Sequence, residues 1–291
     1  MVSEIKQKLS RVHSSIDESF EGKKASAYQL VLSIGMNEIQ LAVNERAKNK
    51  FIALEVYQLE NTYNFELAAE LLSDLFKEST LIPHNYQSVV CSITHNKSTL
   101  IPAALFEEDR KKMYLKFNTT LEENELVMVD EIKSLGAKNI FALPFSVKAK
   151  LDAQFRGIRY HHSSSPLIDS LVTDNKNKDG RKLFVHVQRN HFETAVIDNR
   201  SLLFYNTFNH FSPEDFIYYL LFVCEQLQLN PETIDTYLLG EVEKGTPLHT
   251  IAHKYIRKLK FGERNDAADY SYQLQTLPKH AYFTLFNNYF A

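Results

Sequence analysis

The sequence predicts an α/β protein of two similar lobes, each a mixed sheet with flanking helices. Three observations carry that prediction. Residues 28–57 read as three apolar runs joined by two tight turns, and the same plan recurs at residues 183–208. Each copy is followed by a helical pattern and then another apolar strand. The copies lie roughly 150 residues apart, far beyond the about 20–50-residue periods of solenoids. A chain of 291 residues is long enough for two such lobes, at about 100–200 residues per domain.

Composition narrows the classes. A net charge of −3 gives no global field to draw nucleic acid or an anionic membrane. The longest apolar run, residues 216–224, is far short of the roughly 20 residues of a membrane span. The stretch MVSEIKQKLSRVHSS has neither an apolar core nor a cleavage signal, so a cytoplasmic protein is expected. Cys91 and Cys224 sit far apart in apolar runs and read as buried thiols. Glycine is scarce: 8 residues, where a usual share of about 7% would give about 20. Backbone cradles for phosphate depend on glycine, and this chain has few to use.

Residues 1–27 form a polar N-terminal segment with a short helix expected around Ile5–Ile16. Residues 28–180 form the first lobe with a small insertion, and residues 181–291 the second. In the first lobe, residues 30–34 read as a buried strand, and Gly35, Met36 and Asn37 as a turn using the tolerance of glycine and asparagine for positive φ. Ile39, Leu41 and Val43 alternate with Gln40, Ala42 and Asn44, as on a half-buried strand. Residues 51–57 complete an antiparallel meander. Asn64 is placed to cap a helix whose apolar face is Phe65, Ala68, Ala69, Leu72 and Phe76. Glu66, Glu70 and Asp74 line another face and read as solvated. Residues 88–94 are a fourth strand, expected parallel to the first across the helical crossover.

The insertion carries a charged helix at 106–117, strands at 125–129 and 139–143, and a helix at 146–155 capped by Ser146. A short strand at 158–161 and a helix at 166–172 follow. The polar run 173–181, ending at Gly180-Arg181, is the expected lobe boundary. In the second lobe, strands fall at 183–187, 192–197 and 202–208, with Asp198-Asn199 as a hairpin turn. Ser212-Pro213-Glu214-Asp215 starts a helix with a cap, an early proline and first-turn acids. That helix, 216–227, is apolar nearly all round, which suits burial between lobes or a partner surface. A strand at 233–239, a helix at 247–259 and an aromatic helix at 279–290 complete the chain.

Strand, hairpin, strand, helix and strand, twice over, resembles the actin-like ATPase fold: two ribonuclease H-like lobes, each with a mixed five-stranded sheet and flanking helices. It resembles in particular an uncharacterised bacterial family with this fold and no assigned activity. The resemblance covers the chain from about Tyr28 onward. It implies nucleotide held by three short motifs. The first hairpin, of type Asp-x-Gly, is here Ser33-Ile34-Gly35-Met36-Asn37, with serine in place of the acid. The second is His186-Val187-Gln188-Arg189-Asn190, with both acid and glycine replaced. The third, typically Gly-Gly-Ser against the nucleoside, is Leu239-Gly240-Glu241-Val242. The acids of the superfamily organise magnesium, which wants carboxylate oxygens. Ser33 and His186 supply none. The degenerate cleft positions are therefore Ser33, Gly35, Asn37, His186, Arg189, Gly240 and Glu241. Magnesium-dependent ATP hydrolysis is not expected of them, while ATP binding without turnover stays compatible.

Outside these motifs, His249 and His253 lie four apart on one helical face, half of a zinc site, but Thr250 stands where a zincin carries glutamate. His161 and His162 are adjacent and point to opposite sides of a strand. Lys254, Arg257, Lys258 and Lys260, with Tyr255 and Phe261 among them, suit a solvated helix end or a track for single-stranded RNA. There is no nucleophile motif and no P-loop. The sequence thus points to a non-catalytic actin-like scaffold, a pseudoenzyme with a protein partner. The alternatives are a nucleotide-binding or other enzyme acting in the interlobe cleft, drawing on the polar residues Ser33, Asn37, His186, Arg189, Asn190 and Glu241, and an RNA or ribonucleoprotein binder.

Overall fold

A computed structural model describes residues 7–199, 201–264 and 266–288, and divides the chain into two compact units. The first comprises residues 1–166, 266–276 and 284–291; the second, residues 167–265 and 277–283. The division falls at Pro166, earlier than the polar run 173–181, and two C-terminal segments belong to the first unit. Local composition marks where a chain is solvated. It does not mark which unit a returning segment packs on.

The first unit starts with β1 (Lys8–Ile16), β2 (Tyr28–Ile34), β3 (Glu38–Glu45) and β4 (Lys50–Glu60), followed by α1 (Phe65–Glu78) and β5 (Ser88–Ile93). After β6 (Ser98–Pro102), α2 (Lys111–Asn118), β7 (Glu125–Ile132) and β8 (Ala137–Pro144) come α3 (Phe145–Gln154), β9 (Arg159–His162) and α4 (Ser164–Asp174). The main sheet runs β1-β4-β3-β2-β5-β9. Its first four strands are antiparallel, and β5 and β9 are parallel to β2. The sheet therefore extends the five-stranded plan by β1 on one edge and by a late strand described below. β1 replaces the helix expected over Ile5–Ile16, of which Ile5 lies outside the described residues. Its partner is β4, and pairing with a waiting edge outweighs a weak helical pattern.

Both faces of β3 are buried, Gln40 and Asn44 included, so this strand is central rather than half-solvated. One face packs with Phe65, Ala68, Leu72 and Leu75 of α1 and Val147 and Leu151 of α3. At β4, Phe51 packs against Tyr270 at 5.7 Å and Phe286 at 4.8 Å between ring centres, both on the returning C-terminal segments. Asn64 caps α1 as expected, its Oδ1 accepting from Leu67 N at 2.9 Å. Ser146 does not cap α3: the helix starts one residue earlier after Pro144, and Ser146 Oγ is buried with no hydrogen-bond partner among the described residues. The charged helix expected at 106–117 is shorter, α2 being preceded by two turns of 3-10 helix. β6, β8 and β7 form a separate antiparallel three-stranded sheet around Leu115, Ile140 and Ala142.

The second unit follows with β10 (Arg181–Val187), β11 (His191–Asp198), β12 (Ser201–Asn209), α5 (Pro213–Gln226), β13 (Asp235–Gly240), α6 (Pro247–Tyr255) and β14 (Leu259–Phe261). Its five-stranded sheet runs β12-β11-β10-β13-β14, with β13 and β14 parallel to β10. Asn199 turns the β11–β12 hairpin at φ 55°. Ser212 and Asp215 form the reciprocal cap of α5. That helix buries Phe216, Leu220, Val223 and Cys224, but Tyr218 is 64% and Phe222 42% exposed, so it is not covered all round. The helix expected to reach Leu259 stops at Tyr255, and Leu259–Phe261 instead pairs with β13. In place of a long aromatic helix over 279–290, the chain ends with β15 (Asp269–Tyr270), paired with β4, then α7 (Tyr272–Gln275) and a short α8 (Phe283–Asn287). Residues 289 and 290 lie outside the described residues. Cys91 and Cys224 are both free and buried, and burial pushes the Cys224 thiol up to about 11. Among the described residues, no helix is long and apolar enough to cross a membrane.

Candidate functional site

The two hairpins singled out by sequence share one backbone plan. In the first, Gly35 N–H donates to Glu38 O at 2.9 Å, Leu59 N–H to Asn37 O at 2.8 Å and Thr94 N–H to Ile34 O at 2.9 Å. In the second, Gln188 N–H donates to His191 O at 2.9 Å, His210 N–H to Asn190 O at 3.1 Å and Glu241 N–H to Val187 O at 2.8 Å. Each turn thus holds three residues, and each is tied in the same way to the third and fourth strands of its meander.

The side chains differ. Ser33, near the end of β2, is buried, and its Oγ lies 3.3 Å from Thr94 Oγ1. Opposite it on β3 stands Gln40, a neutral amide. Neither Gly35 nor Asn37 takes the positive φ expected of them, and a Cβ on Gly35 would meet nothing nearer than 3.5 Å. In the second hairpin, His186 faces Glu193 across β10 and β11. His186 Nδ1 donates to Glu193 Oε2 at 2.6 Å, and Tyr205 OH donates to Glu193 Oε1 at 2.7 Å. Both members of the pair are 2% exposed. Burial alone would raise the Glu193 carboxyl, but the hydrogen bond and charge of His186, with His191 and Tyr205, hold it down at about 2.

Gly240 closes this arrangement. It sits at φ +82°, and a Cβ there would lie 2.2 Å from Val187 O and 3.1 Å from the His186 ring. Its N–H donates to His280 O at 2.9 Å, and His280 Nε2 donates to Val242 O at 2.6 Å. Of the seven predicted positions, Ser33, Gly35 and Asn37 therefore group at the first hairpin. His186 and Gly240 touch in the second unit, with Glu241 one residue on. Arg189 stands exposed on the second turn beside Asn190. Sequence reasoning missed Glu193 and Tyr205. The available signal was an acid inside the apolar strand HFETAVID, at the register position facing His186.

The remaining constellations resolve into packing. His253, His249, Phe261 and His280 form one column of rings, with centres 5.8, 5.3 and 4.3 Å apart and planes within 24°. Burial, with the neighbouring His253 and Lys244, lowers the pKa of His249. Stacked faces do not aim two nitrogens at one metal. His161 and His162 diverge as expected: His161 Nδ1 reaches Asp130 at 3.0 Å, while His162 is buried, with Nδ1 2.6 Å from Ser164 Oγ. Asp130 also accepts from His162 N–H at 2.8 Å and Ser165 Oγ at 2.5 Å, so a carboxylate from β7 occupies the start of α4. The basic run is split between the end of α6, the following turn and β14, where Lys260 pairs with Asp235 at 3.3 Å. Glu66, Glu70 and Asp74 line an exposed face of α1.

Residues 17–259 match a family described as a protein of unknown function, DUF3822. The chain belongs to this family. Among solved structures it is similar to a protein of Bacteroides thetaiotaomicron with an actin-like ATPase fold and unknown function. The TM-score is 0.76 at 24% identity, over 88% of this chain and 97% of that one. It is also similar to a chain of the PilM-PilN type IV pilus biogenesis complex, with a TM-score of 0.55 at 13% identity over 89% and 96%. No curated protein matches. This DUF3822 protein therefore has the actin-like ATPase fold, as its duplicated meanders implied.

Proposed function

We propose that this DUF3822 protein is a non-catalytic actin-like scaffold that works by binding another protein. The carrying observation is that the two hairpin positions where the fold otherwise places metal-organising acids are committed elsewhere. Ser33 pairs with Thr94, and His186 with Glu193. Glu193, opposite His186 beside the second hairpin, is buried, and both its oxygens already accept hydrogen bonds. This donor set does not fit a hard divalent cation, which takes several accessible oxygens. Arg189 and Gln188 supply side chains in place of the glycine backbone that approaches phosphate. A second support is the PilM-PilN likeness, since that relative of the fold is named as part of a protein complex. Isothermal titration with magnesium and ATP, with a phosphate-release assay, tests the reading: no heat of binding below millimolar nucleotide and no phosphate release are expected. Micromolar binding with turnover would overturn it.

A further inference from the structure

The first unit contains a cavity of about 450 Å³ that no sequence motif anticipated. That volume lies within the about 300–1,000 Å³ usual for ligand pockets. It is bounded by the tip of the first hairpin at Met36, by the start of α1, by the β5–β6 connection and by the chain entering β7. Met36, Phe65 and Pro144 supply apolar surface, and Tyr63, 78% exposed, supplies an aromatic ring.

The charge of the lining is one-sided. Among the described residues Lys97 is its one lysine or arginine, and Lys97 Nζ lies 2.8 and 2.9 Å from the two oxygens of Glu125, so that pair neutralises itself. Glu66 accepts only from the neutral Asn124 amide, and Glu122 is exposed, its backbone N–H donating to Glu125 at 2.9 Å. Two carboxylates are left without an ion-pair partner among the described residues. An anionic ligand would find Lys97 engaged and the first turn of α1 already capped by Asn64.

We propose that this cavity receives a basic side chain from an extended segment of a partner protein, a guanidinium or ammonium on an apolar stem beside an aliphatic neighbour. The inference rests on the scaffold reading and names the chemistry of its partner. Glu66 and Glu122 balance the charge. The Tyr63 ring offers its face to the cation. Met36 and Phe65 take the methylene stem, as apolar surface does for long basic side chains. β7 is an outer strand of its three-stranded sheet, so an extended segment can run alongside it.

The test is fluorescence anisotropy on the full chain with a labelled, end-blocked peptide alternating leucine and arginine. Controls are the same peptide with glutamate for arginine, and free agmatine as competitor. The arginine peptide binds and the glutamate peptide does not. Glu66→Gln with Glu122→Gln weakens binding about fivefold, and raising salt does the same. Tyr63→Ala weakens it about threefold. All three sites are exposed, and thermal unfolding is unchanged. The proposal is overturned by equal binding of the glutamate peptide, by no binding of the arginine peptide, or by variants that bind like the parent. It is overturned too if agmatine displaces the peptide at equal concentration, which would make the site one for a small amine. Peptide failure without ATP turnover removes this inference alone. ATP turnover removes the scaffold reading whatever the peptide does.

Discussion

The β2–β3 and β10–β11 hairpins are one backbone with two electrostatic fillings. Their turns have equal length and are fixed by three equivalent main-chain hydrogen bonds. Under the first lies a neutral pair of hydroxyls, Ser33 and Thr94; under the second lies a buried carboxylate, Glu193, hydrogen-bonded by His186 and Tyr205, with Gly240 close against the His186 ring. The duplicated fold has kept its geometry in both units while its chemistry diverged. The first hairpin should therefore tolerate change better than the second, because the buried Glu193 carboxylate depends on its hydrogen-bond partners.

The sharpest way to break this comparison is to remove one partner from each hairpin. His186→Ala leaves Glu193 buried and uncompensated and is expected to cost about 3–5 kcal/mol in chemical denaturation. Ser33→Ala should cost about 1 kcal/mol. Equal losses would mean that the second pair is no more than packing.

A smaller effect separates the pH dependence of the parent from that of Glu193→Gln, which should cost about 1.5–3 kcal/mol at neutral pH. The folded carboxyl sits near 2, below its ordinary value of 4.5. Its contribution is therefore present above about 4.5 and is lost as pH falls toward 2. Acid titrations of stability for parent and variant should converge over that window. Parallel curves would show that Glu193 carries no depressed pKa.

Backbone tests come next. Gly240→Ala puts a Cβ against Val187 O at positive φ and should cost about 2 kcal/mol or more. Gly35→Ala, with ordinary φ and only ordinary van der Waals contacts for the new Cβ, should stay within about 1 kcal/mol of the parent. The smallest contrast is between two serines at helix starts, one a cap and one not. Ser212→Ala removes the acceptor for Asp215 N–H and should cost about 1 kcal/mol, whereas Ser146→Ala, which removes a buried hydroxyl with no partner, should be neutral or stabilising. Melting temperatures of the two variants check this directly.

Elements with a local cause were readable in the sequence. The Ser212 and Asn64 caps and the Asn199 turn each follow from a few adjacent residues whose preferences agree, and the parallel β2–β5 pairing follows from the handed strand–helix–strand crossover. Failures had non-local causes. β1 is a strand because β4 offers an edge; β14 and β15 are too short to show a period, and β13 and β4 recruit them. At the site, the loss of acid and glycine was legible at Ser33, His186 and Gln188. The role of His186 was not, because its partner lies seven residues on across a hairpin whose register only the fold sets.

The sequence by itself determined that two related meanders exist, where most of their strands and helices begin, and which residues stand at the hairpins. These are matters of period, capping and turn chemistry, and they act over a few residues. Tertiary structure decided which polar groups are buried, which charges they meet, that both faces of β3 are covered, and that the chain's last segments return to β4. Burial and ion pairing depend on groups distant in sequence, and no local pattern encodes what will cover a strand.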